Sequence, residues 1–563
     1  MKTWVYKRSS IIIGVLTIVN ILVLIMFFHI RNQVEVNSST ITQIYKYGIL
    51  FAIPSKIIFI LLLCISITNV LLVLYFPLNN RFKQILSIIL TGNTFLIFMH
   101  MISYLYYNSP MFPYSFRYYG YAEYILRNSK VNASIIWYHN WPGFPIEISI
   151  FELITETNPI ILLGIFPYLT VGMSAMYVYM LSRGVINDKN SVVLAPLLFI
   201  LLNWSQQTYF TAQNYSYLLY LNGLYISLLM LRKQYRKIKL IVILLVIMLS
   251  LTISHILMSI FTTLLIFTLT LAINSPLKKD NLIHIKKYTA LIWIFILIIV
   301  MWNSLWASSW TIPRITHILI SLSRLSSIDY AKAMMEGTKY HELYTKIKLV
   351  STLTIILISL SLQILKTYKV KTFTSSIRLF SATLIASGVV IALGTHGGES
   401  IIRGYLYFLP ALTISMAEIM SCVLPQRQHQ IHTRNIVTVG LFIFMILLTP
   451  LSFYNIWGNY AIEYVSYQEI TGVGYAYMHI PPQSYINVPS SSIFEWKYRE
   501  YFKLIQVESQ VGEYLVETPL TVRFTKYLKN QINTHSTIRI LQLNSIYINK
   551  GAEEFRIFLI QNL

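Results

Sequence analysis

The sequence predicts an all-α polytopic membrane protein with a small extracytoplasmic α/β domain at its C-terminus. Three observations carry that prediction. The mean hydropathy is +0.60 and charged residues make up only 12% of the chain, too few to cover the surface of a soluble protein of 563 residues. Many apolar runs reach the roughly 20 residues needed to cross a hydrocarbon core. The last hundred or so residues are less apolar and carry strand-like runs, "TIRILQLNSIYIN" and "EFRIFLIQ", split by "KGAE".

Hydropathy places thirteen membrane helices near 9–29, 56–76, 84–105, 159–181, 191–204, 215–231, 240–256, 258–274, 288–308, 347–365, 377–394, 401–422 and 436–454. The first follows "MKTWVYKR". It is too long for a signal-peptide core and lacks a small-residue cleavage site, so it is expected to be retained. The pair around His255 reads as one bent helix or a tight hairpin. This count divides the chain into a membrane domain, 1–455, and a tail domain, 456–563.

Loop charge sets the expected orientation. Alternate loops are basic: "RFK", "RGVINDKN", "RKQYRKIK", "KKDNLIHIKK", "KTYKVK" and "RQHQIHTR". Of 21 acidic residues, only Asp188 and Asp280 fall among them. The positive-inside rule then puts the N-terminus in the cytoplasm and the C-terminus outside. The formal charge of +23 is thereby a topology signal, and nucleic acid is excluded as a partner. Four N-x-S/T sequons, at Asn37, Asn132, Asn203 and Asn214, fall outside or at an outer helix end. Cys64 and Cys422 both lie in apolar segments and build neither a disulfide framework nor a zinc site.

Two large outer loops remain, 106–158 and 309–346. In the second, "IPRITHILISLSRL" has the pattern of an interfacial amphipathic helix. The first holds two helical pieces. "SFRYYGYAEYILRNS" sets Tyr119, Ala122, Ile125 and Leu126 along one stripe, with Arg117 and Glu123 off it. "FPIEISIFELITE" carries Pro145 in its first turn and suits a helix lying in the membrane interface. Between them stands "WYHNWPGF". Trp137, Tyr138, His139 and Trp141 suit sugar stacking or headgroup anchoring, and the Pro-Gly pair marks a turn.

"YAEYILRNSKV…YHNWPGF", "GGESIIRGYLYFLPAL" and "LTISHILMS" resemble segments of archaeal multi-spanning glycosyltransferases of the GT-C class. The resemblance covers most of the membrane part. It implies a lipid-phosphate sugar donor, a polyprenyl phosphate, and an active site in the first outer loop. The acceptor would be an extracytoplasmic protein, lipid or glycan, with membrane lipids around the helices. A divalent cation, magnesium or manganese, is compatible with that chemistry. The sequence departs from the pattern where such enzymes place an early loop aspartate: Tyr114 stands there, and Asp329 is the one aspartate expected outside. The carboxylate that takes the acceptor's proton must then be a glutamate. Glu123, inside the motif, and Glu147, after the turn, are the catalytic candidates. Arg403, beside Glu399 at the start of a membrane helix, is the candidate phosphate ligand, with His255 as a further hydrogen-bonding group. The alternatives are a catalytically degenerate member acting as scaffold or binding subunit, and a transporter or flippase of lipid-linked saccharides.

Overall fold

The computed structural model describes scattered positions from 96 to 112, most of 114–313 and 342–423, and parts of 443–457 and 465–481. It also describes five strands between 485 and 560. The predicted spans 9–29 and 56–76, most of 84–105, about half of 436–454 and most of the 309–346 loop lie outside the described residues.

The two helical pieces of the first loop form as expected. They are α1 (Tyr114–Asn128) and α2 (Gly143–Thr155), with a single 3-10 turn at Trp137–Asn140 between them. The bundle follows as α3 (Pro159–Val185), α4 (Lys189–Leu202), α5 (Ala212–Leu231), α6 (Lys237–Ser254), α7 (Ile256–Ile273), α8 (Lys279–Leu305), α9 (Glu342–Val370), α10 (Ser375–Leu393) and α11 (Gly398–Val423). Among the described residues, Pro159–Val185, Tyr288–Leu305 and Lys346–Tyr368 are long and apolar enough to cross a membrane. Shorter apolar helices run over Ser191–Leu202, Ile238–Ser254, Ile256–Ala272 and Ser375–Val389.

Local chemistry fixes the helix ends. Asn158 Oδ1 accepts from the Ile160 N–H at 2.9 Å, and Pro159 opens α3, where its missing N–H costs nothing. Asp188 caps α4 by accepting from the Ser191 N–H and hydroxyl. The pair around His255 resolves into two helices that meet at that one residue. Its Nδ1 accepts from the Met258 N–H at 3.3 Å, capping α7.

At the centre, α11 packs between α4, α9 and α10, while α5 lies against α3, α6 and α7. Prolines inside helices create a need that the packing meets. Pro410 has no N–H for the Leu406 carbonyl four residues back, and Tyr217 of α5 donates its hydroxyl there at 3.1 Å. Pro196 leaves the Val192 carbonyl in the same position, and Ser182 of α3 donates to it at 3.1 Å. The last carbonyls of α4 are also met: Leu202 by Tyr405 (2.7 Å) and Leu201 by Ser452. Trp204, buried, stacks on Tyr405 and donates to Thr352. Where α9, α10 and α11 meet, Lys366 pairs with Glu418, which also accepts from Ser376. The sequons at Asn203 and Asn214 sit inside this packing, both buried, with Asn214 Nδ2 donating to Thr170 and the Thr208 carbonyl. They therefore carry no information about sidedness.

Beyond the bundle, α12 (Tyr467–His479) packs its Val473 and Ala476 into the apolar cluster formed by α1 and α2. The strands β1 (Tyr485–Asn487), β2 (Lys503–Ile505), β3 (Tyr514–Glu517), β4 (Leu543–Asn549) and β5 (Phe555–Ile560) form one sheet in the order β2-β1-β3-β5-β4. β1 pairs in parallel with β2 and β3, whereas β5 runs antiparallel to β3 and β4.

Tyr217→Phe keeps the ring and leaves the Leu406 carbonyl unmet. It should lower stability by about 1–3 kcal/mol, the cost of a buried orphaned polar group. Thermal unfolding of the detergent-solubilised protein is the measurement, and an unchanged midpoint would show that the Pro410 kink needs no outside donor.

Candidate functional site

The helices α1 and α2 form a layer across one end of the bundle. Burial joins them along a broader face than the predicted stripe: Phe116, Tyr118, Tyr119, Tyr121, Ala122 and Tyr124 are buried, while Ile125 and Leu126 are only half-buried. The reason is that α1 is covered on two sides, by α2 and by α12, and a single stripe covers one. Ser149 donates to the Ala122 carbonyl at 2.8 Å, and Tyr119 donates to Glu152 Oε1 at 2.5 Å, so α2 is held to α1 at two heights. Phe144 packs against Phe166, Phe210 and Tyr215 with ring centroids 5.0–5.8 Å apart, which ties the layer to α3 and α5.

The turn of the layer approaches the bundle closely at Gly143. A Cβ there would lie 2.4 Å from Ser254 Oγ and 3.1 Å from the Ile253 carbonyl oxygen, so any larger residue pushes α2 off the α6–α7 junction. The Pro-Gly pair thus serves contact as well as turning.

The polar-aromatic stretch before it is folded inward. His139, Asn140 and Trp141 are all buried. His139 Nδ1 accepts from the Asn132 N–H at 3.1 Å, and burial pushes the imidazole below its ordinary pKa, so it is neutral. Two tryptophans at the end of α8 hold the backbone: Trp302 donates to the Asn140 carbonyl at 3.0 Å and Trp306 to the His139 carbonyl at 3.3 Å. Trp141 meets Trp310 edge-on at 4.9 Å. Trp141, expected at headgroup level, is only 3% exposed because Trp310, beyond the end of α8, supplies a protein partner for its ring. Tyr138 is half-buried, its hydroxyl 2.6 Å from that of Tyr118. Trp137 begins the 3-10 turn.

Among the sequence-predicted residues, the structure brings His255 and Arg403 together. Glu147 lies one turn along α2 from Gly143 and hydrogen-bonds Tyr215; burial raises its carboxyl above the ordinary value of 4.5. His255 directly follows Ser254, the residue Gly143 touches. Arg403 faces His255 and Tyr407 closely enough to act on both electrostatically. Glu399 lies one turn earlier in α11. Glu123 sits on α1, half-buried, with its backbone carbonyl accepting from Arg127. Among the described residues no group of three or more His, Cys, Asp or Glu side chains gathers to hold a metal. An open cleft of about 590 Å³ at the α2–α3 joint is lined by Leu126, Glu152, Leu153, Glu156, Thr157, Asn158 and Pro159.

The sequence reading did not single out Tyr215, Ser254 or the tryptophans of α8. The last had a signal: Trp302, Trp306 and Trp310 recur every four residues, a helical spacing, although the helix itself ends at Leu305.

The solved structures show what this architecture is similar to. The Archaeoglobus fulgidus oligosaccharyltransferase, tethered with an acceptor peptide, superposes with a TM-score of 0.50 at 12% identity, over 78% of this chain and 70% of that one. The fold is similar to that of this oligosaccharyltransferase. ArnT from Cupriavidus metallidurans, bound to undecaprenyl phosphate, gives a TM-score of 0.49 at 9% identity, over 85% of this chain and 98% of that one. No family model and no curated protein matches the sequence.

Trp302→Phe removes the donor to the Asn140 carbonyl and keeps the ring. It should cost about 1 kcal/mol, and Gly143→Val should cost more by forcing α2 off Ser254. Limited proteolysis of the 129–142 segment is the readout; protection equal to wild type in both variants would mean that the turn is held by other contacts.

Proposed function

We propose that the chain is a multi-pass membrane glycosyltransferase that moves a sugar from a polyprenyl-phosphate-linked donor to an extracytoplasmic acceptor. The observation that carries this reading is the meeting of His255 and Arg403 at the α6–α7 junction, on which Gly143 seats the loop helix that bears Glu147. The shared fold with an oligosaccharyltransferase supports it. So does the alternation of basic loops, which puts this end of the bundle outside, with thirteen spans, a cytoplasmic N-terminus and residues 456–563 as an extracytoplasmic α/β domain.

In this mechanism the acceptor's nucleophile attacks the anomeric carbon of the donor. The bond from that carbon to the phosphate oxygen breaks, and the polyprenyl phosphate leaves with the electron pair. Glu147 takes the acceptor's proton. Its raised pKa suits it to that task better than a fully solvated carboxylate, because a stronger base holds the transferred proton better. Arg403 binds the phosphate oxygens bidentately and stabilises the charge that grows there. His255 accepts a backbone N–H at Nδ1, so its other nitrogen carries the proton and can donate to the same phosphate. Glu123 serves the acceptor side of the loop, and Trp137, Tyr138, His139 and Trp141 shape the loop that covers the sugar.

Purified membranes incubated with labelled polyprenyl-phospho-sugars test the proposal. Glu147→Gln should lower turnover about 100- to 10,000-fold, and Arg403→Ala should raise the donor KM. The wild-type rate should fall as the pH drops through the Glu147 pKa, which lies above 4.5, because the protonated carboxyl cannot act as a base. Absence of turnover by the wild type with every donor would instead favour a scaffold or a carrier of lipid-linked saccharides.

A further inference from the structure

Arg117 has no role in the mechanism above, and its surroundings are unusual for a cation. It lies in the first turn of α1, a turn with no acidic residue, where the helix dipole disfavours positive charge. It is half-buried, so it also loses part of its hydration. Among the described residues no carboxylate pairs with it. Instead, Nε donates to the Tyr121 hydroxyl at 2.5 Å, and the guanidinium lies 6.0 Å from the centre of the Tyr121 ring and 5.9 Å from that of Tyr138. Tyr138 is fixed in turn by its 2.6 Å contact with Tyr118 and by the edge-on packing of those two rings at 5.0 Å. The tyrosines therefore immobilise the guanidinium through Nε and leave its two Nη groups uncommitted. Those two groups are the half of the fork that grips an oxyanion.

We infer that Arg117, clamped by Tyr121 and Tyr138 at the start of α1, is a receptor for a phosphate group at the membrane surface, separate from the Arg403 position. The layer that carries it lies at headgroup depth. The α2 helix packs on α1 and leaves Ile150, Leu153 and Ile154 exposed, 52%, 73% and 75%, a face that suits the interface rather than water. Lipid-borne phosphates lie at that depth. The choice of phosphate over another oxyanion rests on the proposed use of a phosphate-linked donor. The presence of an anion site rests on the tyrosine clamp alone.

The test uses the full-length wild type in phosphatidylcholine nanodiscs, treated with the arginine reagent phenylglyoxal. The rate of modification at Arg117 is followed by peptide mass spectrometry, with the exposed Arg127 as reference. Undecaprenyl monophosphate should slow modification of Arg117 about tenfold and leave Arg127 unchanged. Protection by inorganic phosphate as well would support the site and assign it to phosphate from any source; protection by the lipid alone would assign it to a lipid-borne phosphate. Protection by neither probe overturns the inference. In the transfer assay Arg117→Gln should raise the donor KM, with partial recovery in Arg117→Lys, and an unchanged KM in both would also overturn it. A wild type that turns over no donor but still shows protected Arg117 would defeat the transferase reading and leave this site standing.

Discussion

Inside a hydrocarbon layer no water is available to a backbone carbonyl, so every helix irregularity must be met by another part of the protein. That constraint organises this structure. Pro410 breaks the hydrogen-bond ladder of α11, and Tyr217 of α5 repairs it; Pro196 breaks that of α4, and Ser182 of α3 repairs it. Tyr220 and Tyr405 add similar bonds to the Tyr407 and Leu202 carbonyls. These bonds set α11 against α4 and α5 at a defined height, and so set where Arg403 emerges at the loop end.

The loop layer depends on that scaffold. Its position is fixed by one close approach, Gly143 on Ser254, and by indole donors from α8 that hold the carbonyls of residues 139 and 140. A polar-aromatic stretch that seemed suited to receiving a ligand spends most of its polar groups on this seating. The consequence falls on α2: with its first residue pressed on the α6–α7 junction, Glu147 sits one turn away and meets Tyr215 of α5. Glu123, which belongs to the more recognisable motif, is left on the neighbouring helix.

The raised pKa of Glu147 and the tyrosine-clamped Arg117 have one cause. Both are ionisable groups drawn partly out of water by the aromatic packing of α1 and α2, and neither is neutralised by an opposite charge among the described residues. In a layer that lies at a membrane surface, such groups are set to meet a partner that brings its own charge.

Sequence alone determined the membrane class, the places of α3 to α11 to within a turn or two at most ends, and the two loop helices. Hydropathy and helical period are properties of consecutive residues, and the hydrocarbon solvent leaves few other conformations open. It also marked Glu147, His255 and Arg403 as candidates, because charge at an apolar segment is conspicuous. Tertiary structure alone decided that His255 and Arg403 meet, that Glu147 reaches Tyr215, that Trp141 and His139 are buried, and that the sequons at 203 and 214 are packed away. Each of those outcomes is a contact between segments far apart in the chain, such as Trp302 with Asn140 or Tyr217 with Leu406. Such pairings follow from how whole helices fit together, which no local pattern encodes.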